Sequence, residues 1–223
     1  MHARQAGFRE PAAPAFSEPL TSAALPDDDL LDGGVLESMR FDDLDLSSRE
    51  AHGAEIDQCT FSNVSFSGVR LHGAMIRDTV MDRCDLANLR ARDSALNRVT
   101  LTASRMTGLS WLVGSLRDVT FDACRMDLAS MRASTFKNVV FTGCRCEQAD
   151  FGEADLRGAM FESCDLTAAQ FSGAQLAGTR FANCNLADIS GVTSMRGAII
   201  KSTDALALTF ILASALGITI EDG

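Results

Sequence analysis

Large apolar residues recur at every fifth position from Leu36 to Leu186 without an insertion, with Ala51, Ala91 and Cys146 as smaller exceptions. A spacing of five fits neither the 3.6-residue period of an amphipathic helix nor the two-residue alternation of an ordinary strand. The residue two positions earlier is mostly small. Fixed internal periods are typical of solenoids. The pattern therefore predicts a coil with one large and one small inward side chain in each five-residue unit.

The inward positions also sort with a period of 20 residues. Phenylalanine occupies positions 41, 61, 121, 141, 161 and 181, and cysteine occupies positions 124, 144, 164 and 184. Four five-residue units per turn would place such positions above one another, as in-register parallel pairing requires. We therefore expect an all-β solenoid made of about eight square coils of 20 residues each.

After residue 190 the pattern slips by one, because Met195 and Ile200 continue the large positions. Residues 202–204 then predict a helix N-cap, and Gly217 predicts the end of the helix. A helix that is apolar all round must be buried on more than one side, so one side is expected to cap the last coil and the other to form a homodimer. The predicted interface residues of this C-terminal helix are Leu206, Leu208, Phe210, Ile211, Leu212 and Leu216.

Three segments follow from these patterns. Residues 1–35 contain all four prolines and several aspartates, which predicts a disordered or loosely ordered acidic tail. Residues 36–200 form the repeat, and residues 201–223 form the helix with a short extended tail. The aspartates at 27–29 and 32 are either a solvated run or part of a partner-binding tail.

Catalytic and metal-binding chemistry is not predicted. Six of the seven cysteines stand at the small inward positions, which indicates reduced core residues rather than disulfides. No Gly-rich phosphate loop or nucleophile–base grouping is recognisable, and no metal or other cofactor is expected. His52 and His72 are expected to be exposed, and Trp111 is either a core residue or part of a contact patch. With no secretory signal and no membrane-spanning run, we expect a soluble cytoplasmic protein that is not an enzyme.

The repeat resembles the pentapeptide repeat family, whose units are similar to A(D/N)LXX. The clearest matches are the segments 149–151, 154–156, 164–166 and 184–186, which read ADF, ADL, CDL and CNL. This resemblance implies a right-handed quadrilateral parallel β-helix. The smooth repeat and the C-terminal helix are similar to the MfpA-like members, which are related to the Qnr-like members but lack their loops. Those proteins imitate duplex DNA, bind DNA gyrase and confer resistance to quinolones or natural toxins.

The charge distribution bears on what that resemblance implies for partners. The chain has 30 acidic and 20 basic residues, and basic residues interrupt the repeat throughout, so uniform imitation of DNA is not supported. Residues 69–105 hold seven arginines against four acids, whereas residues 145–188, in the C-terminal half of the repeat, hold seven acids against three arginines. We expect this half to contact gyrase or another type II topoisomerase, with no direct binding to nucleic acid or membrane. The alternative is a scaffolding module with an unrelated protein partner. The predicted partner-binding residues are Glu147, Asp150, Glu153, Asp155, Glu162, Asp165 and Asp188.

Overall fold

The structure, a computed structural model, describes residues 9–17 and 19–219. It is a parallel β-solenoid of about nine turns with one C-terminal helix, which confirms the predicted fold class. Residues 1–8 of the predicted tail and residues 220–223 of the predicted C-terminal extension lie outside the described residues.

The strands are short because the chain turns a corner after every five-residue unit. In chain order they are β1 (Thr21–Ser22), β2 (Val35–Glu37), β3 (Met39–Asp42), β4 (Glu50–His52), β5 (Glu55–Asp57), β6 (Thr60–Ser62), β7 (Arg70–His72), β8 (Met75–Asp82), β9 (Arg90–Arg92), β10 (Ala95–Thr102), β11 (Ser110–Leu112), β12 (Ser115–Asp122), β13 (Thr135–Thr142), β14 (Met160–Glu162), β15 (Arg180–Ala182) and β16 (Ile199–Ile200). A 3₁₀ turn at Val192–Ser194 precedes β16, and helix α1 (Ala205–Ala215) follows it.

Parallel pairing in steps of 20 residues gives the coil four faces, each named here after its first inward residue. Strands β2 and β5 lie on the Leu36 face, and β3, β6, β14 and β15 lie on the Phe41 face. The long strands β8, β10, β12 and β13 run along the Leu36 face and continue onto the Phe41 face. Isolated bridges from Asp45 to Asn185 hold the Leu46 face. Strands β4, β7, β9 and β11 form the Ala51 face.

The large residues at every fifth position form the core, as predicted. Each of them from Leu36 to Leu186 is at most 6 % exposed. On the Phe41 face the phenylalanine rings stack in register, with centroids 4.7 Å apart for Phe121 and Phe141 and 4.5 Å apart for Phe141 and Phe161. These distances match the spacing of neighbouring parallel strands, about 4.8 Å, so the ladder of rings follows directly from the backbone pairing.

The first turn starts before Leu36, in a segment that the sequence assigns to the N-terminal tail. Strand β1 pairs with β3, and Leu30 is 2 % exposed within the core. Leu31, which stands at the position predicted by the five-residue period, is 57 % exposed. One extra residue between Leu30 and Leu36 breaks the five-residue period, so the period does not reveal this turn. The equivalent slip at the other end is confirmed, because Ile200 pairs with Phe181 across 19 residues instead of 20.

The rest of the described tail follows a defined path. Residues 9–17 run along the outside of the rod, and three of their backbone amides donate hydrogen bonds to side chains on three different coils. We call residues 9–17 the N-terminal arm.

Helix α1 covers the end of the coil stack, as the sequence predicts. Leu208 is 3 % exposed, and Ile211 packs against the core. Asp204 is the N-cap residue, but its carboxylate makes no capping bond within the helix. Asp204 Oδ2 instead accepts the amide of Cys184 at 2.9 Å, which ties the helix to the last coil. Gly217 follows the helix with φ +71°, the left-handed conformation expected at a helix end.

Candidate protein-interaction surfaces

The structure does not bring the seven predicted acidic residues together on one face. The in-register pairing fixes their placement, since residues 20 apart stand above one another. They are distributed as follows: Asp155 on the Leu36 face, Glu162 on the Phe41 face, Glu147 and Asp165 on the Leu46 face, Asp150 on the Ala51 face, and Glu153 and Asp188 at corners of the coil. The excess of acid in the C-terminal half is therefore spread around the rod.

Four of these carboxylates also form ion pairs with neighbouring arginines. Arg132 pairs with Asp150 at 3.4 Å and with Glu153. Glu147 Oε2 lies 3.1 Å from Arg145 Nη2, and Asp155 Oδ2 lies 2.6 Å from Arg157 Nη2. Each pair is partly exposed and contributes little to stability. Each pair does reduce the negative field that a cationic partner would meet.

Local hydrogen bonds keep two of the predicted carboxylates ionised. The hydrogen bond from Arg157 lowers the pKa of Asp155. At Asp165 burial acts to raise the pKa, but the hydrogen bonds from the hydroxyl and amide of Thr167, together with the interactions with Glu147 and Arg145, lower it overall. Both side chains are therefore negative at neutral pH, and both already satisfy part of their hydrogen-bonding capacity within the rod.

A more regular acidic surface lies on the Phe41 face, and the sequence analysis did not single it out. Asp42, Asp82, Asp122 and Glu162 occupy one outward column, with Ser62, Thr102 and Thr142 between them. Two coils separate successive carboxylates, a rise of about 9.6 Å. The neighbouring outward column carries no base from position 60 to position 160, where it reads Thr, Val, Thr, Thr, Val and Met. Neighbouring arginines pair with two of these carboxylates, since Arg40 Nε lies 3.2 Å from Asp42 Oδ2 and Arg83 Nη1 lies 2.5 Å from Asp82 Oδ2. We call the four carboxylates the acidic column.

The signal for this column was present in the sequence as a 40-residue period. Reading every fortieth position from Asp42 returns an acid each time, to Glu162. A sum of charges along the rod axis combines this column with the arginine-rich columns of other faces. The regular spacing of the acids does not appear in such a sum.

The Ala51 face is cationic. Arg70 pairs in register with Arg90, and His72 pairs with Arg92. Like charges directly opposite one another in a sheet are destabilising, as at Arg70 and Arg90, and these two arginines line an open depression of about 820 Å³. Glu50 compensates only in part, since its carboxylate lies 3.7 Å from Arg70 Nη1. This face cannot present a phosphate-like surface, which rules out imitation of DNA on every side of the rod.

Helix α1 presents the main exposed apolar surface at the C-terminal end. Leu206 is 75 % exposed, Phe210 60 %, Leu212 44 % and Leu216 75 %. Leu208 was predicted to lie in the dimer interface, but its side chain is already buried beneath the helix within one chain. Ile211 is half-buried on the same side. The surface available to a second copy therefore consists of the four exposed residues.

The cysteines and Trp111 belong to the core. All seven cysteines are buried free thiols, and desolvation raises the pKa of Cys59 and Cys84 to about 11. The described residues contain no group of three or more His, Cys, Asp or Glu side chains arranged to hold a metal ion. Trp111 is 4 % exposed, which settles it as a core residue. No helix among the described residues is long and apolar enough to cross a membrane.

Residues 114–190 match the family model described as the pentapeptide repeat region. No curated protein matches the sequence. Among solved structures, a trypsin-treated variant of QnrB1, a plasmid-mediated fluoroquinolone resistance protein, is 18 % identical over 85 % of this chain and 100 % of its own, with a TM-score of 0.35. HetL, a pentapeptide repeat protein involved in the regulation of heterocyst differentiation in the cyanobacterium Nostoc sp. strain PCC 7120, is 18 % identical over 75 % of this chain and 87 % of its own, with a TM-score of 0.32.

A pentapeptide repeat protein of the Arabidopsis thaliana thylakoid lumen is also 18 % identical, over 58 % of this chain and 70 % of its own, with a TM-score of 0.20. Identities and TM-scores at this level carry no information about partner or activity. The assignment to the MfpA-like members therefore stays a prediction.

Proposed function

We propose that this protein is a non-enzymatic, cytoplasmic interaction rod that binds DNA gyrase or another type II topoisomerase and modulates it or protects it from quinolones or natural toxins. It acts as a homodimer joined through helix α1. Its contact surface is the Phe41 face, where the acidic column stands.

The acidic column is the observation that carries this proposal. A topoisomerase that binds DNA offers a cationic surface shaped for regularly spaced phosphates, and the usual footprint of such a surface is electrostatic. The column presents four carboxylates at a constant spacing with only Ser62, Thr102 and Thr142 between them. Two of the four, Asp122 and Glu162, have no ion pair with an arginine among the described residues. The exposed apolar side chains of α1 support the dimer, because joining two rods end to end would bury them and would extend the column along a longer axis.

A supercoiling assay with purified gyrase and micromolar amounts of this protein tests the proposal, with and without a quinolone. The wild type is expected to change supercoiling or to reduce drug-induced cleavage. Neutralising the column with Asp42→Asn, Asp82→Asn, Asp122→Asn and Glu162→Gln is expected to abolish the effect. Glu147→Gln on the Leu46 face serves as a control and should leave it unchanged. No effect of the wild type in either condition would overturn the proposal.

The second candidate function is a scaffolding module with an unrelated protein partner. It is favoured by the arginine pairing of the predicted carboxylates and by the cationic Ala51 face, neither of which suits a topoisomerase that binds DNA. Affinity capture with the wild type and with the neutralised column separates the two. Capture of a topoisomerase by the wild type alone supports the first function. Capture of another protein through the Ala51 face supports the second.

A further inference from the structure

The N-terminal arm is bound to one corner of the rod through its backbone. The amide of Ala12 donates to Asp118 Oδ1 at 3.1 Å, and the amide of Ala15 donates to Asp78 Oδ1 at 3.0 Å. The amide and the hydroxyl of Ser17 both donate to Gln58 Oε1 at 2.6 Å. These three acceptors stand 20 residues or a multiple of 20 apart, so they lie in one corner column, with Arg98 between Asp78 and Asp118.

The spacing of the donors matches the spacing of the coils. Asp78 and Asp118 are two coils apart, which corresponds to about 9.6 Å of rise. Three residues of a polyproline II helix rise about 9.3 Å. Pro11, Ala12 and Pro14 are half-buried against the rod, whereas Ala13 and Ala15 are exposed. Three residues of a strand would rise about 9.9 Å, which also matches two coils, so the spacing indicates an extended arm.

The acceptors are held in place without the arm. Asp78, Asp118 and Gln58 all adopt positive φ, between 44° and 54°, which turns the side chain outward at the corner. Arg98 binds both carboxylate oxygens of Asp78, and Asn138 Nδ2 donates to Asp118 Oδ1 at 3.1 Å. The hydrogen bond from Arg98 is the main cause of the lowered pKa of Asp78, so its carboxylate is charged at neutral pH. The corner is therefore a preformed row of acceptors.

We infer that this corner is a binding site for extended, proline-spaced peptides, and that the N-terminal arm occupies it in the free protein. The ligand class is a segment that follows the pattern of residues 11–15, with prolines three apart and a free backbone amide after each proline. Carboxylates at fixed positions recognise the spacing of the backbone amides in the peptide. They place little constraint on the identity of its side chains. A partner carrying such a segment would displace the arm. This site is separate from the acidic column and does not depend on the proposed topoisomerase function.

Alanine-to-proline substitutions in the full chain test the docking of the arm. Ala12→Pro with Ala15→Pro keeps the extended conformation and removes both donors. Ala13→Pro is the matched control, because the Ala13 amide makes no hydrogen bond within the described residues. Amide hydrogen exchange at Ser17, measured by NMR, is expected to accelerate about tenfold or more in the double variant and to stay unchanged in the control.

A labelled peptide with the sequence of residues 9–20 tests recognition in trans, by fluorescence anisotropy. It is expected to bind the Ala12→Pro/Ala15→Pro chain saturably and the wild type at least about tenfold more weakly, because the attached arm competes. Asp78→Asn with Asp118→Asn, added to the double variant, should remove the binding. Unchanged exchange at Ser17, no saturable binding, or equal binding of a peptide with proline at positions 12 and 15 would each overturn the inference. Dimers that form through the arm in the wild type but not in the double variant would also overturn it, in favour of arm exchange between copies.

Discussion

Replacing Phe210 by glutamate should separate the proposed dimer into monomers. Phe210 is 60 % exposed in one chain, and burying that fraction in an interface contributes about 1 to 2 kcal/mol. A twofold-symmetric interface uses the residue twice, so the loss per dimer is about 2 to 4 kcal/mol. This corresponds to a dissociation constant raised between about 30-fold and 1,000-fold.

Sedimentation velocity over a hundredfold range of protein concentration measures this change directly. Leu128→Glu is the matched control, because Leu128 is 58 % exposed but lies on the body of the rod. The control should keep the mass of the wild type. Leu208 is unsuitable for this test, because substituting it would disturb the packing of α1 on the last coil. A wild type that is monomeric at every concentration, or an unchanged mass of Phe210→Glu, would refute the reasoning.

Three further outcomes follow from the packing and the charges. Gly114→Ala should lower the free energy of unfolding by about 1 to 3 kcal/mol, because an added Cβ would lie 2.2 Å from Trp111 Nε1. Urea denaturation measures this loss, and an unchanged midpoint would contradict the prediction. Phe141→Ala should cost about 3 to 5 kcal/mol in the same assay, since its ring is stacked on both sides, and a loss below 1 kcal/mol would contradict the ladder. The pKa of Asp78 is lowered from 3.8, so its stabilising contribution is complete above that pH and is lost as the pH falls below it. The difference in unfolding free energy between wild type and Asp78→Asn should therefore shrink on acidification, and a difference that stays constant down to pH 2 would be inconsistent with the Arg98 pair.

The coil was predictable from the sequence because each five-residue unit repeats one inward environment. Leu36 to Leu186 keep that register, so one rule places every core residue. The first turn escaped the rule because one extra residue shifts Leu30 into the core and Leu31 out of it. Periodicity of this kind detects a register only while the chain neither gains nor loses a residue.

The interaction surfaces were less predictable, since they depend on which side chains meet across coils. The count of acids in residues 145–188 could not show that Arg132 holds both Asp150 and Glu153. The arm was hidden for a different reason. Its hydrogen bonds join backbone amides to side chains far away in the sequence. In the sequence alone, an alanine whose amide donates such a bond cannot be distinguished from one whose amide does not.

The ladder of rings on the Phe41 face is interrupted, and this has a mechanical consequence. Between Phe61 and Phe121 the ladder continues with Met81 and Leu101, and a small apolar void of about 20 Å³ lies in the core around them. In a solenoid each coil contacts only its neighbours, so the packing between coils is set locally. The arm is anchored at Gln58, in the coil of Phe61, and at Asp118, in the coil of Phe121. It therefore spans the interrupted part of the ladder, and we expect its release to loosen the rod there first.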